Sequence, residues 1–174
     1  ARGDSGVILS EIFRGLAHGL DKKRTVSAND LANALAESAD FAYKGVTKPV
    51  EGTILTVIRE AAAAAQAKSS SNNTDMLSMM ETVVEEAKAS VARTPSLLPV
   101  LRQAGVVDAG GQGLYVVFEG ALRYRRGEPA EAEPAEIAPV ASPVIAAHKP
   151  PDEAKYGYCT EFLLYGKALN PEAI

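Results

Sequence analysis

Three glycine-bearing turns, each running straight into an apolar pattern of helical period, constrain this chain more than any other feature. They are Ala1-Arg2-Gly3-Asp4-Ser5-Gly6-Val7, Pro49-Val50-Glu51-Gly52-Thr53 and Gly105-Val106-Val107-Asp108-Ala109-Gly110-Gly111-Gln112-Gly113. The first turn of a helix leaves backbone N–H groups unsatisfied and the macrodipole adds positive potential there, so each junction suits an anion. Phosphate is the natural candidate, with the Ser5 hydroxyl and the Arg2 guanidinium available in the first turn. Any single turn also reads as a tight connection in a helical bundle, but three of them ask for one shared explanation. Arg2-Gly3-Asp4 is too short to count as an adhesion tripeptide.

Between the turns the period is that of helices. The first is expected from about Ser5 to Leu20, with Leu9, Phe13, Leu16 and Leu20 inward and Gly15 and Gly19 allowing close approach of a neighbour. Ser27 and Asp30 form a capping-box pattern ahead of a second helix carrying Leu31, Leu35, Ala39, Ala42 and Val46, which ends before Pro49. A third spans Ile54 to Ala67 and includes a run of alanines of high helix propensity. After the polar stretch Lys68 to Asn73, Asn73 or Thr74 caps a fourth helix with Leu77, Met80, Val84, Ala87 and Val91 on its buried stripe. Thr94-Pro95 pairs an N-cap with proline at the first helical position, starting a short helix through Leu97, Leu98 and Leu101. The last core helix carries Leu114, Val117, Phe118, Ala121 and Leu122.

Composition agrees with helices. The chain is 47% hydrophobic but only 6% aromatic, without Trp, which favours closely packed helices over a sandwich or barrel of strands. Its 174 residues accommodate one domain, or one and part of another. A formal charge of −4 offers no general footprint for nucleic acid. The single cysteine, Cys159, cannot form an internal disulfide, so a cytoplasmic location is expected. No apolar run approaches the roughly 20 residues that span a bilayer.

From Arg125 the composition changes. The expected organisation is a helical domain over 1–126, a Pro/Ala/Glu-rich linker over 127–152 and, over 153–174, the start of a middle domain. Its first strand is the aromatic, β-prone stretch Tyr156 to Tyr165. The absence of an initiator Met, and a loop-to-helix junction at residue 1, suggest a fragment. Some apolar helix faces are therefore expected to lie exposed, with association or poor stability of the isolated chain as the consequence.

Four stretches carry a family resemblance. Residues Ala1 to Ser10, Lys48-Pro49-Val50-Glu51-Gly52-Thr53-Ile54-Leu55, Thr94-Pro95 with Leu98-Pro99-Val100-Leu101, and Gly105 to Leu114 together resemble the nucleotide-binding domain of bacterial fatty acid kinase. That domain is similar to the ATP-binding subunit of dihydroxyacetone kinases, and Tyr158-Cys159-Thr160-Glu161-Phe162 is similar to the start of the fatty acid kinase middle domain. The resemblance implies an all-α antiparallel helical barrel or bundle, with about six of the family's roughly eight helices in this chain, followed by a strand of an α/β domain. It implies ATP and Mg²⁺ as cofactors. The γ-phosphoryl group would pass to the carboxylate of a fatty acid presented by a separate fatty-acid-binding protein, giving an acyl phosphate. A homodimer is a further expectation. A dihydroxyacetone-type kinase of a small polyol and a non-catalytic regulatory or interaction module of the same fold are the alternatives. Glu51-Gly52-Thr53 and the Tyr158-Cys159-Thr160-Glu161 stretch favour the fatty acid version.

The resemblance also implies roles for particular residues. Gly3, Asp4, Ser5 and Gly6 would face the nucleotide phosphates. Gly52 and Thr53 match a second nucleotide-side turn, with Thr53 either capping its helix or touching the nucleotide. Asp108, Gly110 and Gly111 match a loop that closes over the nucleotide, with an N-cap or turn role as the alternative for Asp108. Two departures stand out. The family more usually has Asn at Asp4, and a carboxylate beside phosphate calls for a compensating cation or Arg2. The family's Asp-Gly-Asp-Thr-Gly magnesium loop does not occur in this sequence, so its ligands are expected upstream of Ala1 and phosphoryl transfer by this chain alone should fail. Cys159 corresponds to a zinc ligand of the middle domain and otherwise reads as a free thiol at the start of a strand. His18 and His148 lie apart and form no local metal cluster.

Overall fold

A computed structural model of the chain describes residues 3–70 and 74–128. These form six α-helices: α1 (Gly3–Gly19), α2 (Ala28–Lys44), α3 (Ile54–Ser69), α4 (Met76–Leu97), α5 (Pro99–Ala104) and α6 (Ala109–Arg126). The all-α class and the bundle are therefore as expected. The linker, the strand at Tyr156 to Tyr165, Cys159 and His148 lie outside the described residues.

The caps explain where each helix begins. At α2 the expected box forms, with the Ser27 N–H donating to Asp30 Oδ2 at 2.9 Å and the Asp30 N–H to Ser27 Oγ at 3.2 Å. Helix α4 is capped by Asp75 rather than by Asn73 or Thr74: its carboxylate accepts the Ser78 N–H at 3.0 Å. Asp75 is the last residue with extended backbone before the helix, so its side chain alone is in register with the third helical N–H.

Thr94-Pro95 does not start a helix. Helix α4 runs through it to Leu97, because the Thr94 hydroxyl donates to the Val91 carbonyl at 2.7 Å. That carbonyl is the one Pro95 cannot reach, having no N–H, and the threonine replaces the missing donor. The proline that does occupy a first helical position is Pro99, in α5.

The first glycine turn and the second half of the third are themselves helical. Helix α1 begins at Gly3 and α6 at Ala109, so Gly3 to Gly6 and Gly110 to Gly113 are first turns rather than loops that precede them. Gly52, at φ +84°, and Gly105, at φ +67° where α5 ends, sit in turns of the expected kind.

Helix α1 packs along α2, α2 along α3, and α3 along α4, while α6 lies against both α3 and α4. The α1–α2 contact is close because Gly15 and Gly19 allow it: a Cβ on either would stand 2.6 Å from the backbone of Ser38 or Ala34. Helix α3 is the centre, with Ile54, Leu55, Val57, Ile58, Ala61, Ala62 and Ala65 all buried. The expected stripes shift by about one residue at the flanks. On α4 the buried face is Met79, Val83, Ala87, Val91 and Thr94, leaving Leu77 exposed. Helix α1 buries Ile12 while Phe13 is 47% exposed, and on α6 Val117 and Ala121 are exposed while Leu114 and Leu122 are buried. Helix α4 packs against α3, α5 and α6, and α6 against α3 and α4, whereas α1 has one close neighbour, α2; each takes its inward face from where those neighbours lie.

Candidate functional site

A cavity of about 580 Å³ opens at the end of the bundle where α1, α3 and α6 begin. Asp4 and Ser5 reach it from the first turn of α1, Thr53 and Ile54 from the start of α3, and Asp108 and Gly110 from the start of α6. The connection from α2 to α3 supplies one wall through Gly45, Val46, Thr47, Lys48 and Val50. Val7, Ile8 and Leu55 complete an apolar side. Residues separated by about a hundred positions thus share one concavity of ordinary ligand size.

Of the residues singled out in the sequence, Asp4, Ser5, Thr53, Asp108 and Gly110 line this cavity, while Gly3, Gly6, Gly52 and Gly111 do not. Gly52 and Gly111 have packing work instead. A Cβ on Gly52 would stand 2.8 Å from the Leu98 Cβ, and one on Gly111 would stand 2.8 Å from Val57 Cγ2. The Gly52 N–H is already taken, donating to Thr56 Oγ1 at 2.8 Å. Gly3, at φ +71°, sets the entry into α1 and has open space around it.

Thr53 and Asp108 are both N-caps. Thr53 Oγ1 accepts the Leu55 N–H at 3.3 Å and donates to the Val50 carbonyl at 2.7 Å. Asp108 Oδ2 accepts the Gly111 N–H at 2.6 Å, and its own N–H donates to Thr94 Oγ1 at 3.0 Å. Thr94 therefore ties α4 to the start of α6, which is a use its sequence position does not disclose. At the mouth of α6 the Ala109 and Gly110 N–H groups are left without intrahelical partners by helix geometry alone.

Lys48 is the basic side chain among the lining residues, and the sequence reading gave it no role beyond membership of the Lys48-to-Leu55 stretch. The cations on neighbouring helices are engaged: Arg14 with Glu11, Lys44 with Asp40 at 3.9 Å, and Arg59 with Glu51 at 2.8 Å. Lys48 belongs to none of the ion pairs among the described residues. Lys48 and the three helix N-termini bring positive potential to this end of the bundle, opposed by the Asp4 and Asp108 carboxylates in the same lining. Among the described residues no group of three His, Cys, Asp or Glu side chains is placed to hold a metal ion.

Behind the α2–α3 wall, Glu51 joins both helices. Its carboxylate accepts from the Tyr43 hydroxyl at 2.8 Å, the Thr56 hydroxyl at 2.7 Å and the Arg59 guanidinium at 2.8 Å. Arg59 Nε also donates to the Tyr43 hydroxyl at 3.1 Å. Burial by itself would raise the Glu51 pKa, but these donors overcome it and hold the carboxyl below its ordinary range.

Residues 1–123 match the DAK2 domain. The chain belongs to the DAK2 domain family. DAK2 domains are dihydroxyacetone kinase-like, so the family is one of kinases. Among relatives of this DAK2 chain, protein YloV of Bacillus subtilis is 43% identical over 172 residues, covering 94% of the chain and 31% of YloV. An uncharacterized protein of Staphylococcus saprophyticus is 43% identical over 173 residues, with 96% and 31% covered. Another, of Staphylococcus haemolyticus, is 42% identical over 176 residues with the same coverage. The chain thus spans about a third of the length of these relatives. Their similarity continues beyond the DAK2 match itself, since it covers 94% or more of the chain. No described helix of this DAK2 chain is long and apolar enough to cross a membrane.

Proposed function

We propose that this DAK2 chain is the ATP-binding part of a kinase that phosphorylates the carboxylate of a fatty acid held by a separate fatty-acid-binding protein. The observation that carries the reading is the convergence of Asp4, Ser5, Thr53, Asp108, Gly110 and Lys48 on one cavity in a chain of kinase family. The cavity's two sides suit the two halves of a nucleotide. The apolar side formed by Val7, Ile8, Val46 and Leu55 matches a base, and the helix N-termini with Lys48 match a phosphate chain. Ser5 and the Gly110 N–H serve as donors to phosphate oxygens, and Lys48 offsets their charge and that of Asp4.

In the reaction a carboxylate oxygen of the acyl substrate attacks the γ-phosphorus. The bond from that phosphorus to the β,γ-bridging oxygen breaks, and ADP leaves with the electron pair. The chain's own contribution is to bind and orient the nucleotide. Magnesium, when bound, would neutralise phosphate charge. The described residues offer no grouping to hold it, and no step is assigned to them through it. This chain alone is accordingly expected to bind nucleotide without transferring phosphate at an enzymatic rate.

The fatty acid reading is supported over the polyol one by the sequence features already named and by relatives whose similarity runs past the DAK2 domain. The test uses the complete protein with ATP, magnesium and fatty acid loaded on a binding protein, trapping acyl phosphate with hydroxylamine. Hydroxamate is the expected product. Phosphorylated dihydroxyacetone in a parallel reaction, with no hydroxamate, would establish the polyol kinase instead. ATP binding without transfer to either acceptor would point to a regulatory module.

A further inference from the structure

We propose that Glu51 is a positioning residue for the cavity: held by Tyr43, Thr56 and Arg59, it fixes the Gly52–Thr53 turn so that Val50 and Thr53 face the ligand. The inference rests on the nucleotide reading above. Along this turn Val50 and Thr53 line the cavity, whereas Gly52 is buried and the half-exposed Glu51 points to Tyr43, Thr56 and Arg59 instead. The backbone of Gly52 is clamped from two directions. On one side the start of α5 lies so close that a Cβ would meet Leu98 at 2.8 Å and Leu97 at 3.1 Å. On the other, its N–H donates to Thr56 Oγ1.

The Thr56 hydroxyl donates its one proton to Glu51 Oε2 at 2.7 Å, and the Thr56 oxygen accepts the Gly52 N–H at 2.8 Å, so the carboxylate orients the group that holds the turn. Thr56 is fully buried, so no solvent replaces a lost partner. Without the carboxylate, the Thr56 side chain is free to change rotamer and donate to a carbonyl of the preceding turn, as helical threonines commonly do, and that movement of its oxygen weakens the bond from the Gly52 N–H. Tyr43 and Arg59 then determine where the carboxylate sits. One comes from the end of α2 and the other from the second turn of α3, so the network spans the connection that forms the cavity wall.

The test is calorimetric titration of ATP into the full chain and its variants, at a temperature where melting curves show each to be folded. Glu51→Ala, which removes both carboxylate oxygens, is expected to weaken ATP binding by about tenfold. Glu81→Ala serves as a control of similar kind, because Glu81 pairs with Arg126 at 2.8 Å between α4 and α6 and does not line the cavity. It is expected to lower the melting temperature and leave ATP affinity unchanged. Tyr43→Phe, which removes one donor and keeps the ring, is the second variant should Glu51→Ala fail to fold, with a smaller loss of affinity expected. Unchanged ATP affinity in a folded Glu51→Ala, or in Tyr43→Phe where that variant stands in for it, would overturn the positioning role. Equal losses in Glu51→Ala and Glu81→Ala would likewise reduce Glu51 to a stabilising residue. Failure of the unsubstituted chain to bind ATP would instead sink the nucleotide reading on which the inference stands.

Discussion

At Asp108 a single carboxylate faces both a helix and a cavity. Its Oδ2 lies 2.6 Å from the Gly111 N–H, so the charge lies against the positive end of α6. Asp108→Ala is expected to cost roughly 1 kcal/mol of stability, and Asp108→Asn to restore most of it, because Asn caps about as well as Asp. Urea denaturation of the three proteins measures this. If Asn fails to restore stability, the negative charge rather than the cap hydrogen bond is what matters. The sequence left Asp108 and Thr53 open between capping and ligand contact, and a cap pattern cannot decide between them. Both roles use the same residue types at a helix start, and only the hydrogen-bond partners and the cavity wall distinguish them. Lys48 was hidden for the opposite reason: an isolated lysine in a loop has no pattern to be read.

Glycines behave differently according to what stands opposite them, and this decides how the helices pack. Gly15 of α1 faces the backbone of α2, where a new Cβ would stand 2.6 Å from Ser38 Cα and 2.7 Å from the Glu37 carbonyl oxygen. Backbone cannot step aside as a side chain does, so Gly15→Ala is expected to destabilise by about 1–3 kcal/mol despite its gain in helix propensity. Gly120 of α6 has nothing within 4 Å of an added Cβ. There the propensity gain is unopposed, and Gly120→Ala should stabilise by roughly 0.4–1 kcal/mol. Thermal melts of the two variants should move in opposite directions; a stabilised Gly15→Ala would mean that α1 and α2 are not in close contact. The sequence marked Gly15 and Gly19 as permitting close approach, since small residues four apart share one helix face. It misplaced the start of a helix at Thr94-Pro95, because a proline inside a helix looks like a proline at its beginning until the Thr94 hydroxyl is seen bonded to Val91.

Across the whole molecule, ion pairs set the response to acid. Lys23 and then Ser27 hold the Asp30 carboxyl well below its ordinary range. Glu51 and Glu60 are also lowered, although burial opposes it in each. A carboxyl whose pKa is depressed by folding contributes fully above its unfolded value, and the contribution is lost as pH falls through the folded one. The urea midpoint is therefore expected to hold near neutral pH and to fall as pH drops below about 4.5. Asp30→Asn should flatten that fall, and an unaltered slope would show that Lys23 and Ser27 do not stabilise the charged form. Glu51, Lys23 and Arg93 are well exposed while Asp30 and Glu60 are partly buried, so each pair contributes modestly and added salt should weaken the Lys23 and Arg93 interactions.

Helical class, the approximate extent of α1, α2 and α3, and the α2 capping box were all determined by local sequence. Each depends on periodicity, or on side chains bonding to backbone within about one turn, and such effects need no partner from elsewhere in the chain. Which face of α1, α4 and α6 is buried was decided only in the tertiary structure, because a helix with apolar residues on more than one side takes its inward face from its neighbours. The division of labour among the glycines was decided there too. Gly110 meets the cavity while Gly52 and Gly111 fill contacts with Leu98 and Val57, and those contacts come from residues tens of positions away.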